Sequence, residues 1–229
     1  MEKETITKKS SKGEQTKEKL AERFISLMSQ KRWDKITVKE ICSAAGITRG
    51  TYYQYFDDIY DLMEQIQNNL LDDLSEKYRK VSSCRRAEDK SLSGGINDTF
   101  CWEVPPQFEA WFEFCMEHKD AMLALTNDEK GNPYFKKKLQ DIVVSNLDIM
   151  MDQDGLPRDA LRPHFQQLYF AMHFHTMYIW LSSNNTNIST KRMAQVLNTM
   201  RIGASYLYYQ ERKMSTEVQP MENNPGKED

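Results

Sequence analysis

Residues 36–66 read ITVKEICSAAGITRGTYYQYFDDIYDLMEQI, and the order of capping and apolar residues in this stretch decides the fold. Thr37 stands at a helix N-cap position. Glu40, three residues on, is placed to return a hydrogen bond to the cap's own amide, which makes a capping box. Ile36 and Ile41 flank the box as a hydrophobic staple. Val38, Ile41 and Ala45 line one helical face, and Gly46 supplies the left-handed stop that a residue with a side chain resists. After a very short connection Thr48 caps a second helix, whose inner face carries Tyr52 and Phe56 at i, i+4. Two short helices about a glycine-containing turn make a helix-turn-helix pattern.

Working outward, Leu20, Phe24, Leu27 and Met28 recur at helical spacing and predict a first helix from about Thr16 to about Lys31–Trp33. Residues 1–13 (MEKETITKKSSKG) lack apolar periodicity and read as a flexible basic arm. Downstream, Ile59, Leu62, Met63, Ile66, Leu70, Leu71 and Leu74 sustain a helical stripe to about Tyr78. Residues 82–99, with paired Gly94-Gly95, read as a loop. A helix holding Phe108, Trp111, Phe112 and Cys115 follows Pro105-Pro106, and further helices are expected over 119–127, 133–152, 158–182 and 189–211. Pro157 suits a first-turn position and Ser189 or Thr190 a cap. No strand alternation occurs, so the fold class is all-α. From Met214 the chain is polar and acidic and contains Pro220 and Pro225, as a disordered tail would.

Charge divides the same way. Residues 1–56 hold 12 Lys and Arg against 7 Asp and Glu, whereas residues 57–229 hold 19 against 27, within a net charge of -3. The basic end points to a polyanionic partner, although a solvated basic tail gives the same count. The four cysteines, at 42, 84, 101 and 115, are far apart with no CxxC spacing, which favours reduced thiols over a zinc site or disulfide framework. With no signal-peptide pattern and no apolar run that could span a bilayer, a soluble, cytoplasmic protein with no membrane partner is expected.

The 36–66 stretch closely resembles the DNA-binding head of the TetR family of bacterial regulators. The resemblance rests on the Thr37-capped helix, Ala45-Gly46-Ile47, Thr48, Gly50-Thr51, Tyr53, Tyr55-Phe56 and Leu62. It covers residues 14–75 at motif level, and length and helical layout extend it over the remainder. It implies a three-helix helix-turn-helix DNA-binding head (14–75) joined to a helical effector-binding and dimerisation body (76–213), followed by the tail (214–229). It also implies a homodimer that places recognition helices in successive major grooves of a palindromic double-stranded operator. A small-molecule effector would release it as a repressor.

Within that resemblance the residue types suit their tasks. Gly50 and Thr51 let backbone approach base edges, and Arg49 is the nearby side chain able to grip guanine bidentately. Thr37, Lys39, Tyr53, Gln54 and Tyr55 are placed to meet sugar and phosphate, aided by a helix N-terminus, and Thr48, the cap of the second helix, belongs to the same DNA-binding set. One departure stands out. Many family members carry a phosphate-contacting lysine at the start of the fourth helix, where this chain has Ile59 inside an acidic DDIYD turn. The arm lysines Lys8, Lys9 and Lys12 are the candidates to compensate.

The aromatic and methionine-rich body mostly reads as core, but the resemblance makes Trp111, Cys115, Tyr169, His173 and Trp180 candidates to line a pocket for an apolar or aromatic effector. His173 and His175, at i, i+2, point to different sides of a helix and define no metal site. No cofactor is expected. No phosphate-binding glycine loop, nucleophile elbow or HExxH occurs, so the chain reads as a non-enzyme. The last two helices carry wide apolar faces, and Gly203-Ala204-Ser205 permits close approach to a second copy. The acidic DDIYD turn leaves open a second reading, a helical small-molecule-binding or interaction protein whose head does not bind DNA specifically.

Overall fold

The computed structural model describes residues 12–88, 103–153, 156–183 and 187–217. All regular structure among them is helical: α1 (Lys12–Met28), a 3-10 turn (Trp33–Lys35), α2 (Val38–Ala45), α3 (Arg49–Tyr52), α4 (Ile59–Glu88), α5 (Pro106–Glu117), α6 (Lys119–Leu125), α7 (Pro133–Gln153), α8 (Arg162–Ser182) and α9 (Thr190–Glu217). The all-α expectation therefore holds. No described helix is long and apolar enough to cross a membrane.

The head closes over the residues that periodicity picked out. Leu20, Phe24 and Met28 of α1 are buried with Ile36, Ile41, Ala45, Tyr52 and Phe56 and with Leu62, Met63 and Ile66 of α4. Burial of each such side chain contributes roughly 1.5–3 kcal/mol, so this stripe, rather than helix propensity, holds three short helices in place. α4 then continues into the body as a shared spine, where Leu70, Leu71, Leu74 and Tyr78 meet the α5 residues Phe108, Trp111, Phe112 and Cys115 in one core.

Several boundaries differ from expectation. α1 starts at Lys12, inside the segment read as an arm, while residues 1–11, with Lys8 and Lys9, lie outside the described residues. α4 runs through Glu88, so 82–88 are helical rather than looped. This stretch is small and charged but holds no glycine or proline, and helix propensity meets no breaker before Gly94. The rest of the expected loop, residues 89–99, and Cys101 beyond it lie outside the described residues.

Residue 157 does not open a helix. The chain instead turns at Asp159, whose Oδ1 accepts the Leu161 amide at 3.0 Å, and Pro163 takes the first-turn position of α8. Ser189 is the cap of α9, accepting the Arg192 amide on Oγ at 3.2 Å. α9 extends to Glu217, past the expected start of the tail, and no glycine or proline after Gly203 interrupts the sequence of that stretch. Residues 218–229 are outside the described set.

Candidate nucleic-acid interface

Thr37 caps α2 as its spacing requires. Its hydroxyl oxygen accepts the Glu40 amide at 3.3 Å, and Glu40 Oε2 accepts both the Thr37 amide at 2.9 Å and its hydroxyl at 2.7 Å. Lys31 Nζ adds a 2.6 Å bond to the other carboxylate oxygen. The hydrogen bonds from Lys31 and then Thr37 hold the Glu40 carboxyl down at about 2. Both polar groups of Thr37 are thus engaged inside the head, while Lys39 beside it is exposed.

Gly46 ends α2 at φ 63°, ψ 37°, donating its amide to the carbonyls of Cys42 and Ser43. This is the left-handed stop that its position called for. The chain reverses through Ile47, and Thr48 caps α3 by accepting the Thr51 amide at 3.1 Å. The two hydroxyls, Thr48 and Thr51, also lie 2.9 Å apart in a hydrogen bond.

α3 is a single turn, and a second turn of chain carries its direction on to Phe56, whose amide donates to the Tyr52 carbonyl at 3.1 Å. Tyr52 and Phe56 are buried with ring centroids 5.5 Å apart. The Tyr52 hydroxyl donates at 2.9 Å to the carbonyl of Asp58, tying α3 to the start of α4. With the inner face so occupied, Arg49, Gly50, Tyr53 and Gln54 face outward, Thr51 is half-buried, and Tyr55 packs partly against the core. Arg49 has no acidic partner among the described residues. A Cβ at Gly50 would meet only Thr48 Oγ1, at 3.8 Å. The head's own packing therefore gives no reason for glycine there, although glycine in a helix costs about 0.5–1 kcal/mol against alanine.

The acidic turn before α4 is a cap. Asp58 Oδ1 accepts the amides of Tyr60 at 2.8 Å and Asp61 at 2.9 Å, and Asp61 Oδ2 accepts the Asp57 amide at 2.9 Å. Ile59 packs against the core, so this position serves the fold instead of carrying a charge.

The five effector candidates all lie in the body's core, each no more than 5% exposed. Trp111 and His173 come together, with ring centroids 6.2 Å apart, and Phe108 stands edge-on to His173 at 4.9 Å. The Nδ1–H of His173 donates to the Tyr169 carbonyl at 2.7 Å, and burial pushes its pKa down to about 4. Cys115 is fully enclosed, and burial pushes its thiol up. Trp180 stands apart, against Phe112, and donates its indole N–H to the Ile188 carbonyl at 3.2 Å. The indole N–H of Trp111 is buried without a hydrogen-bond partner. None of the five lines the cleft of about 1050 Å3 between α1 and the α5–α6 corner, which is bordered by Ile25, Met28, Met116, His118 and Lys130. His118 and Lys130 carry no motif in sequence; only the meeting of head and body gives them partners.

A capped helix-turn-helix with Arg49 and Lys39 exposed on its outer side is thus carried on a helical body. Residues 25–66 match the sequence profile of bacterial regulatory proteins of the tetR family. A 56-residue stretch is 36% identical to the HTH-type transcriptional repressor KstR2 of Rhodococcus jostii (strain RHA1), covering 24% of this chain and 28% of that relative. The chain thus matches little more than a quarter of that relative's length.

Solved structures extend the likeness of fold. A tetR-family regulator from Streptomyces coelicolor superposes with TM-score 0.55 at 18% identity, over 92% of each chain. A TetR-family regulator from Syntrophomonas wolfei gives 0.53 at 13% identity, over 93% of this chain and 100% of that one. A third, from Streptococcus agalactiae, gives 0.52 at 16% identity, over 82% and 94%. Residues 25–66 thus carry the tetR-family sequence pattern, and the helical fold of the chain is similar to that of solved TetR-family regulators.

Proposed function

We propose that this protein is a homodimeric repressor that binds a palindromic operator through α3 and the turn after it, and leaves DNA when a small molecule enters its body. The observation that carries the reading is the outer face of α3. Arg49 is exposed and unpaired among the described residues, next to a glycine that the head's packing does not require. Arginine can bond guanine O6 and N7 together, and a bare backbone lets the helix sink into the major groove. Lys39, Thr48, Tyr53, Gln54 and Tyr55 are assigned to backbone contacts, and Thr37 to fixing the N-terminus of α2, whose free amides meet phosphate.

The name of the Rhodococcus relative supports repression as the sign of regulation. Exposed Leu168 and Ile179 on α8, and Val196 and Met200 on α9, support a second copy as the partner. The unpaired Trp111 indole beside His173 supports an effector that offers one hydrogen-bond acceptor within an apolar frame. Release follows if the effector binds better to a head spacing that the operator disfavours. The reading assigns the chain no catalysis and places it in the cytoplasm.

Selection of bound duplexes from a random pool, at near-physiological salt, tests the proposal. An inverted repeat should be enriched, and Arg49→Ala should lose about 1–3 kcal/mol on it, with little loss on unrelated duplex. No enrichment, with residual binding abolished by modest salt, would favour the helical binder without specific DNA affinity.

A further inference from the structure

We infer that Asp73, Glu117 and His118 form a site for a divalent transition-metal ion, at the joint between α4 and the α5–α6 corner. One ligand atom from each lies within 4.8 Å of the others. His118 Nε2 stands 2.9 Å from Asp73 Oδ2, across 45 residues of sequence. Glu117 is the last residue of α5, and His118 is the single residue joining α5 to α6. The His118 ring is braced by Phe114, with centroids 4.9 Å apart. The triad is thus assembled by the packing of one helix corner on another helix, and the DNA-binding reading plays no part in it.

The donor set selects the metal. Calcium and magnesium favour oxygen alone, whereas one imidazole with two carboxylates suits zinc and its neighbours cobalt and nickel. Zinc holds such ligands at about 2.0–2.2 Å, which sets neighbouring donors of a tetrahedron about 3.4 Å apart. Admitting the ion widens the His118–Asp73 contact by roughly 0.5 Å, within reach of small side-chain rotations. Three protein ligands leave a fourth position for water, and the Glu117 side chain, 55% exposed, keeps it accessible.

The local field also favours a cation. Lys77 already answers that field, with Nζ 2.9 Å from Glu117 Oε2. A divalent ion would displace this flexible side chain and, unlike it, would bond all three ligands and lock α4 to the corner.

Calorimetric titration of zinc chloride into the tag-free full chain, stripped with EDTA, tests the site. Visible absorption of the cobalt-loaded chain reports the geometry. One ion per chain is expected, with binding weakened at least tenfold in both His118→Asn and Asp73→Asn, and strengthened in Lys77→Met, which lacks the competing cation. The zinc-loaded wild type should also melt higher than the metal-free chain, and His118→Asn should not gain. All three ligands are partly exposed, and melting of the metal-free variants checks their fold. Wild-type binding no tighter than that of His118→Asn would overturn the site. So would equal binding in all variants, which would put the ion elsewhere, for example at the surface histidines His164 or His175.

Discussion

Lys130 Nζ donates a 2.7 Å hydrogen bond to the carbonyl oxygen of Ser29, joining the turn before α7 to the end of α1 across 101 residues of sequence. The carbonyl of Lys130 in turn accepts the Trp33 amide at 3.3 Å. The turn that presents Lys130 is itself well fixed. Asn127 Oδ1 accepts the amides of Glu129 at 3.0 Å and Lys130 at 2.8 Å, and a Cβ on Gly131 would lie 2.4 Å from the Leu125 carbonyl. A lysine at a helix C-terminus also answers the dipole there. A body turn thus grips the head at the strand of chain that leads into α2, which is a physical route by which a change in the body reaches the DNA-binding helices.

Lys130→Ala removes the ammonium but keeps the backbone contact. It should cost no more than about 1 kcal/mol in global stability. Amide exchange should nevertheless speed up through residues 29–36, with α8 unchanged. Equal exchange rates in the two proteins would remove this grip from the account. Gly131→Ala, which forces a carbonyl to move, should do more damage than Lys130→Ala.

His173 makes acid stability testable. Its pKa in the fold is lowered, chiefly by burial, to about 4, against an ordinary value of 6.5. In that interval the unfolded chain binds a proton that the folded chain refuses, so stability is full above about pH 6.5 and falls as pH drops towards 4. By linkage the loss reaches about 3 kcal/mol below pH 4, with about 2 kcal/mol of it developed between pH 7 and pH 5. Denaturant melts at pH 7 and 5 should show the difference. His173→Asn, whose amide can still donate to the Tyr169 carbonyl, should flatten the dependence even if it lowers stability throughout. A slope that survives in that variant would assign the effect to another group.

What the sequence made legible follows the range of the interactions. The Thr37–Glu40 box, the Gly46 stop and the Thr48 cap each join residues no more than five apart, so their chemistry can be read from spacing. Tyr52 and Phe56 are similarly legible, since i, i+4 on one short element fixes a common face. Partners brought together by tertiary packing leave no such trace. Arg162 is one example: a charged residue almost fully buried, bonded to the Asp148 carboxylate at 2.7 Å and to the Leu156 carbonyl at 2.9 Å. Lys130 on Ser29 and His118 on Asp73 are others. The end of α4 is hard to read from sequence for a different reason. A run of small and charged residues lacks an apolar stripe, yet a helix already nucleated and packed upstream needs only the absence of a breaker to continue.

The dimer proposal is open to a direct test at Ile179. On α8 this side chain is 68% exposed, and Leu168 lies eleven residues before it on the same face. On α9, Val196 and Met200 are exposed one turn apart. A two-fold interface built from these residues uses every one of them twice, so one substitution is felt at two places. Burying an isoleucine is worth about 1.5–3 kcal/mol, and a carboxylate in its place adds the cost of desolvation. Ile179→Asp should therefore raise the dimer dissociation constant by roughly a hundredfold or more, without unfolding a side chain that the monomer leaves in water. Ile149→Asp, at an exposed position on α7, supplies the control and should leave association unchanged. Sedimentation velocity over a concentration series distinguishes the two. Association unaltered by Ile179→Asp would place the interface elsewhere, whereas a folded monomer should lose affinity for an inverted repeat far more than for a single half-site, because two linked heads bind with an effective concentration that one head lacks.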